Sequence, residues 1–189
     1  MWNTSIDALN NHLWHETEHG CYYSMVDMHS GERTGTRFGA LDAFFPAVLA
    51  LANDLERADR FQDSCFRAWT RYQVEPELHD YLTGEVLYGG YPLRPETVES
   101  AYYLYQFVPN PKYIQMGKVI FDSLKQYCRT DVGYAGIEDV RTMKQSDHME
   151  SFFLAETLKY LYLLFSPEDV LDFHNTIISA EAHPLKRFW

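Results

Sequence analysis

RPETVESAYYLYQFV, running from Arg94 to Val108, is followed almost at once by PKYIQMGKVIFDSLKQYC, from Pro111 to Cys128, and this pair decides the fold. The first segment is apolar nearly all round a helix; the second carries its apolar residues on one side. All-round apolar helices belong inside a protein and one-sided helices outside, so the pair reads as an inner–outer helical hairpin. The couplet recurs. ALDAFFPAVLALA (Ala40 to Ala52) precedes an amphipathic stretch from about Asp54 to Tyr72, and MESFFLAETLKYLYLLF (Met149 to Phe165) is a third aromatic-rich inner helix. The inner helices start near 40, 94 and 149, a repeat of roughly 55 residues. Phe44, Val48, Tyr103, Leu104, Phe153 and Leu161 are therefore expected to be buried. Between the hairpins lie turn-rich pieces at Cys21 to Gly31, Asp80 to Gly90 and Thr130 to Val140, each offering a short β-hairpin at one end of the helices. The expected class is all-α, with about three helical hairpins forming part of an α/α toroid or a solenoid. Three hairpins cannot close a toroid. The N-terminal helix, about Ser5 to Glu16, has no preceding partner, so upstream chain is expected.

Composition narrows the partners. The 189 residues carry 16 Lys plus Arg against 27 Asp plus Glu, a net charge of −11, with 46% hydrophobic and 16% aromatic residues. Such a surface repels phosphate backbones and anionic lipid, which argues against nucleic-acid and membrane-surface partners. Acidic and aromatic residues together suit a neutral, hydroxyl-rich ligand or a cation. Residues 1–20 hold no apolar signal-peptide core, and no run approaches the ~18 apolar residues of a membrane span. Cys21, Cys65 and Cys128, an odd number without CxxC spacing, leave the redox compartment open. Asn3-Thr4-Ser5 is a lone glycosylation sequon. The eight histidines show no zinc spacing, and there is no GxSxG elbow.

The chemistry-bearing residues are carboxylates. Pro95 suits a first helical position, and Glu96 and Glu99 share the face of the first turn, where the helix dipole favours negative charge. That alone is ordinary N-terminal charge complementarity. Glu156 is different, because it sits inside an apolar helix among Phe153, Leu154, Leu158 and Tyr160. A carboxylate there is costly unless paired, hydrogen-bonded or on a metal, and a satisfied core glutamate bonded to Arg94 or a tyrosine stays open beside a functional one. Glu181, in Glu181-Ala182-His183-Pro184, is weak by itself. Taken together, Glu96, Glu99, Glu150, Glu156 and Glu181 suit a hard cation such as Ca²⁺. Phe152 and the tyrosines offer flat faces for sugar rings.

The strings YPLRPETVES (Tyr91 to Ser100), GYAGIEDV (Gly133 to Val140), MESFFLAETLKYLYLLF and EAHPL (Glu181 to Leu185) resemble glycoside hydrolase family 47, the calcium-dependent α-1,2-mannosidases. The resemblance implies a barrel of seven helical hairpins, of which residues 1–189 would be a single C-terminal portion holding about the last three. It implies Glu96 as general base, Arg94 on the hydroxyls of the terminal mannose, Phe152 beneath that sugar, and Glu156 and Glu181 beside it. Glu96, Glu99, Glu156 and Glu181 match carboxylates that hold the waters of a Ca²⁺ ion. The reaction would be an inverting hydrolysis, in which a base activates water while an acid protonates the leaving oxygen. The family's acid and a further essential aspartate lie upstream of anything aligned here.

Two departures stand out. A threonine that gives calcium its direct protein ligands is replaced by Ala180, so only the Ala180 carbonyl remains unless Ser179 substitutes. Weak calcium binding is therefore expected. Cys65 matches one half of a disulfide of the processing mannosidases, but its partner position is Ala43, and Leu41 to Leu51 looks more like the ER degradation-enhancing branch. That branch implies an ER-lumenal protein acting on high-mannose N-glycans of misfolded glycoproteins. The resemblance leaves two alternatives: a non-catalytic module that binds mannose glycans or recruits glycoproteins, and a remnant without function of its own. An isolated chain of this kind is expected to have no turnover.

Overall fold

In the computed structural model, which describes residues 1–167 and 170–188, the chain opens with α1 (Trp2–His12). The strands β1 (Trp14–Thr17), β2 (Gly20–Tyr23), β3 (Met25–Val26), β4 (Arg33–Gly35) and β5 (Arg37–Gly39) follow. A 3-10 turn (Ala40–Phe44) leads into α2 (Phe45–Leu51) and α3 (Leu55–Tyr72). Next come β6 (Leu78–Asp80), β7 (Val86–Tyr88), α4 (Glu96–Phe107) and α5 (Pro111–Ser123), the last extended by a π-turn at Leu124–Cys128. Strands β8 (Ile137–Asp139) and β9 (Lys144–Gln145) precede a π-turn (Phe153–Thr157), α6 (Leu158–Phe165), β10 (Thr176–Ile178) and β11 (Pro184–Lys186).

The all-α expectation is corrected. Five small antiparallel sheets accompany the helices: β1–β2, β3–β4, β5–β6–β7, β8–β9 and β10–β11. Period-2 patterning is faint in strands of two to four residues, so the turn-rich pieces showed three short hairpins but not how many strands there are or how they pair. Their placement also differs from the expected hairpins. Cys21 to Gly31 does not fold on itself: β2 pairs back with β1, and β3 pairs forward with β4. Asp80 to Gly90 carries the β6–β7 turn, with β5 added as a third strand.

The helical rows hold. α4 packs against α2 on one side and α6 on the other, with α3 and α5 behind them. α3 earns its outer position by sequence: Phe61, Cys65 and Trp69, spaced by four, are all buried on one face. Burying a side chain the size of Phe61 contributes about 1.5–3 kcal/mol. Asp54 caps α3 by accepting from the Arg57 N–H, and Asn110 caps α5 by accepting from the Lys112 N–H, with Pro111 at the first position. Tyr103, Leu104, Phe153 and Leu161 are buried as expected, but Phe44 is exposed and Val48 only half-buried. Leu9 of α1, Leu13, and Leu41 and Phe44 of the 3-10 turn together line an open apolar groove of 820 Å³. Cys21, Cys65 and Cys128 are buried and unpaired.

Candidate functional site

The segment ahead of α4 sets the site. Leu93 is fully buried with φ of +69°, a left-handed conformation that costs a non-glycine residue about 1–3 kcal/mol and is often retained at functional positions. Its carbonyl accepts from the Thr157 hydroxyl at 2.7 Å, which ties it to the π-turn before α6. The Arg94 carbonyl accepts from the Tyr91 hydroxyl at 3.2 Å. The strained turn is thus held from both sides, and it delivers Arg94 and Glu96 to the start of α4.

Arg94 is the hub. Its Nε donates to Glu77 Oε1 at 2.5 Å and its Nη2 to Glu77 Oε2 at 3.2 Å, while Glu96 Oε1 stands 3.9 Å from Nη1. The guanidinium lies 5.8 Å from the Phe152 ring centre. Glu77 and Arg94 also line an open cleft of 450 Å³ with Pro92 and His148. Glu96 is half-buried and leaves Oε2 without a hydrogen-bond partner. Burial pushes its pKa up to about 7, with Glu156 and Glu77 adding to the rise and Arg94 opposing it. Glu99 is likewise pushed up to about 7 by burial, although the Tyr160 hydroxyl donates to it at 2.9 Å.

Glu156 lies on the π-turn, a feature frequent at functional sites. It is 7% exposed, and burial followed by the charge of Glu181 raises its pKa. Neither Arg94 nor a tyrosine bonds it: Arg94 goes to Glu77 and Tyr160 to Glu99. Glu181 is exposed in the β10–β11 loop, which Lys159 of α6 anchors by donating to the Ala182 carbonyl at 2.8 Å. The structure therefore brings Arg94, Glu96, Glu99, Phe152, Glu156 and Glu181 into one neighbourhood. Glu150 turns to His148 Nε2 at 2.7 Å.

Sequence reasoning missed Glu75 and Glu77. Glu75 is 1% exposed and accepts from the Thr97 hydroxyl at 2.8 Å, leaving its other oxygen unpaired. Burial, with the charges of Glu96, Glu77 and Asp42 adding to it, raises its pKa well above the ordinary carboxylate value. Two glutamates flanking Pro76 look like an ordinary exposed linker, and only the partner at Arg94 reveals otherwise.

No group of three or more His, Cys, Asp or Glu side chains among the described residues is arranged to grip a metal directly. The Ser179 hydroxyl, the candidate substitute for the absent threonine, accepts from the backbone N–H groups of Glu181 at 3.3 Å and His183 at 3.1 Å. It is committed to the loop turn. With the unpaired Glu96 oxygen and the clustered carboxylates, the donor set fits a cation held through water rather than one seated in protein ligands.

The model of glycosyl hydrolase family 47 matches residues 1–187. The chain belongs to that family. Family 47 relatives include alpha-mannosidase I MNS5 of Arabidopsis thaliana, 39% identical over 89% of this chain and 29% of that protein. The ER degradation-enhancing alpha-mannosidase-like protein 1 of Schizosaccharomyces pombe is 33% identical over 97% of this chain and 23% of its own length. The fold superposes on the alpha-1,2-mannosidase from Trichoderma reesei with a TM-score of 0.83 and 26% identity, covering 98% of this chain and 46% of that one. The family 47 chain described here thus spans under a third of these curated relatives and under half of the solved mannosidase.

Proposed function

We propose that these 189 residues are the base-bearing, C-terminal portion of an α-1,2-mannosidase catalytic domain. The observation that carries this reading is Glu96, which keeps Oε2 buried without a partner while its Oε1 stands 3.9 Å from Arg94, the residue whose guanidinium lies over the Phe152 ring. A carboxyl raised to about 7 is matched to general-base work near neutral pH, where a base must be deprotonated and still basic enough to take a proton. In the proposed reaction Glu96 accepts a proton from water. Arg94 donates to mannose hydroxyls from an orientation fixed by Glu77, and the apolar face of the sugar packs on Phe152. Glu156 and Glu181 accept from further hydroxyls. The Ala180 carbonyl, with Glu96, Glu99, Glu156 and Glu181 acting through waters, would hold Ca²⁺, which supplies positive charge to relieve the clustered carboxylates.

Inversion requires an acid about 6.5–9.5 Å from the base. We propose that the acid lies outside these 189 residues and that they alone have no turnover. The substrate is proposed to be the high-mannose N-glycan of glycoproteins and the site of action the ER lumen, in glycoprotein quality control. This rests on the degradation-enhancing names among the relatives. No helix among the described residues is long and apolar enough to cross a membrane. Titrating the labelled chain with α-1,2-mannobiose tests the subsite: chemical-shift changes should centre on Arg94, Glu96 and Phe152 and vanish in Phe152→Ala. Changes confined to other residues would refute it.

A second reading rests on the Arg94 guanidinium poised over the Phe152 ring: a mannose-binding module using Arg94, Phe152 and Glu156 without chemistry. It predicts the same titration but no hydrolysis in any context.

A further inference from the structure

Helix α3 carries four arginines on its outer side, and they are not treated alike. Arg57 pairs with Asp54, and Arg60 with Glu16 at 2.8 Å. Arg67 and Arg71 have no carboxylate within ion-pair distance among the described residues. Four apart, they share one helix face and line a hollow of 330 Å³ together with Tyr22, His79 and Tyr81. None of the lining residues belongs to the Arg94–Glu96–Phe152 cluster. Each guanidinium has five N–H groups. Arg67 gives one to the His19 carbonyl at 2.9 Å, and Arg71 gives one to the Thr83 carbonyl at 3.5 Å. The rest are available.

The hollow is built rather than incidental. Arg71 lies against Gly84, where a Cβ would come within 2.0 Å of Nη2 and where φ is +74°, so that position demands glycine. The Tyr72 ring supports the same guanidinium at 5.6 Å. Tyr22 and Tyr81 stack at 4.2 Å, and the Tyr81 hydroxyl is fixed by His15 Nδ1 at 2.8 Å. His79 is 3% exposed and leaves Nδ1 buried without a hydrogen-bond partner. Burial, with Arg71 nearby, lowers its pKa to about 4, so it lines the hollow as a neutral imidazole. The one acid at the rim, Glu18, is almost fully exposed and leans towards His19 at 3.6 Å. In a chain of net charge −11 the overall field does not draw anions in. Recognition here would come from the local arrangement.

We propose that this hollow binds a small phosphate-type oxyanion, either free phosphate or the phosphate group of a small metabolite, through Arg67 and Arg71. Calorimetric titration of the 189-residue chain with sodium phosphate, at ionic strength held constant with sodium chloride, tests it. The expected result is saturation at one site, weakened at least about tenfold in Arg67→Gln and in Arg71→Gln, as loss of a charge-assisted hydrogen bond implies. Arg141→Gln, whose guanidinium is paired with Asp139, should bind as the parent does. Glucose 6-phosphate in a second titration separates the sources: tighter binding than phosphate indicates a metabolite, equal or weaker binding the free ion. Arginine Nε resonances of the unmutated chain give an independent readout, and those of Arg67 and Arg71 should move with phosphate. Absence of saturable binding, unchanged affinity in both variants, or equal displacement by chloride would overturn the proposal.

Discussion

Replacing Glu77 by alanine removes both hydrogen bonds that orient Arg94, at 2.5 and 3.2 Å, and leaves the guanidinium only its 3.9 Å approach to Glu96. Removing one partner of a fully buried pair costs about 3–5 kcal/mol, because the other charge is stranded. Here the two side chains are 21% and 16% exposed, so water and Glu96 recover part of the loss, and about 2–3 kcal/mol is expected. For a chain of this size each kcal/mol lowers Tm by about 2–4 °C, giving a fall of roughly 4–12 °C. Urea unfolding of wild type, Glu77→Ala, Arg94→Met and the double variant forms the cycle that isolates the pair. The double variant should be less destabilised than the two single changes added together, since no stranded charge remains. A loss below about 0.5 kcal/mol in Glu77→Ala, or strict additivity, would show that the pair does not hold Arg94 in place.

Glu99 has its pKa raised from 4.5 to about 7, so the folded chain holds a proton that the unfolded chain releases between those values. Its favourable contribution is complete below about pH 4.5 and is lost as pH rises through 7. Glu99→Gln should therefore flatten the decline in unfolding free energy between about pH 4.5 and 7, by on the order of 3 kcal/mol; parallel profiles for the two proteins would contradict this. Ala180→Thr should tighten Ca²⁺ binding measured by calorimetry, since it adds an oxygen ligand at a loop where the Ser179 hydroxyl is already committed; equal affinities would show that a water already fills the place. Gly117→Ala would bring a Cβ within 2.5 Å of Leu164 Cδ2 where α5 meets α6. Overpacking of about 1–3 kcal/mol should outweigh the helix-propensity gain of about 1 kcal/mol, and thermal denaturation reads the net sign.

The helical rows were legible because α4 and α6 present apolar residues all round while α3 and α5 do not, a contrast that survives in any sequence window. The strands were legible only as turn-rich pieces, because each is shorter than the window in which alternation can be counted, and β2 and β3 divide a segment that reads as one hairpin. Phe44 illustrates a different limit. Its apolarity predicted burial, but burial depends on what stands beside α2, and the sequence of α2 does not contain that information. In the site, Arg94, Glu96 and Phe152 were recognisable from their strings. The partner that orients Arg94 was not, because Glu77 is distant in sequence and carries no pattern. The left-handed Leu93 and the π-turn beneath Glu156 were equally silent, since no glycine marks the first and no inserted residue can be recognised in the second without coordinates.

The enzyme portion and the binding module part company on hydrolysis alone. The decisive measurement is mannose release from α-1,2-mannobiose by the 189-residue chain and by a chimera joining it to the preceding helical hairpins of the Trichoderma reesei α-1,2-mannosidase. A base-bearing portion gives no release by the chain alone, and release by the chimera that disappears in Glu96→Gln. A folded chimera that binds the disaccharide without cleaving it, or turnover that persists in Glu96→Gln, would contradict the assignment of Glu96 as base.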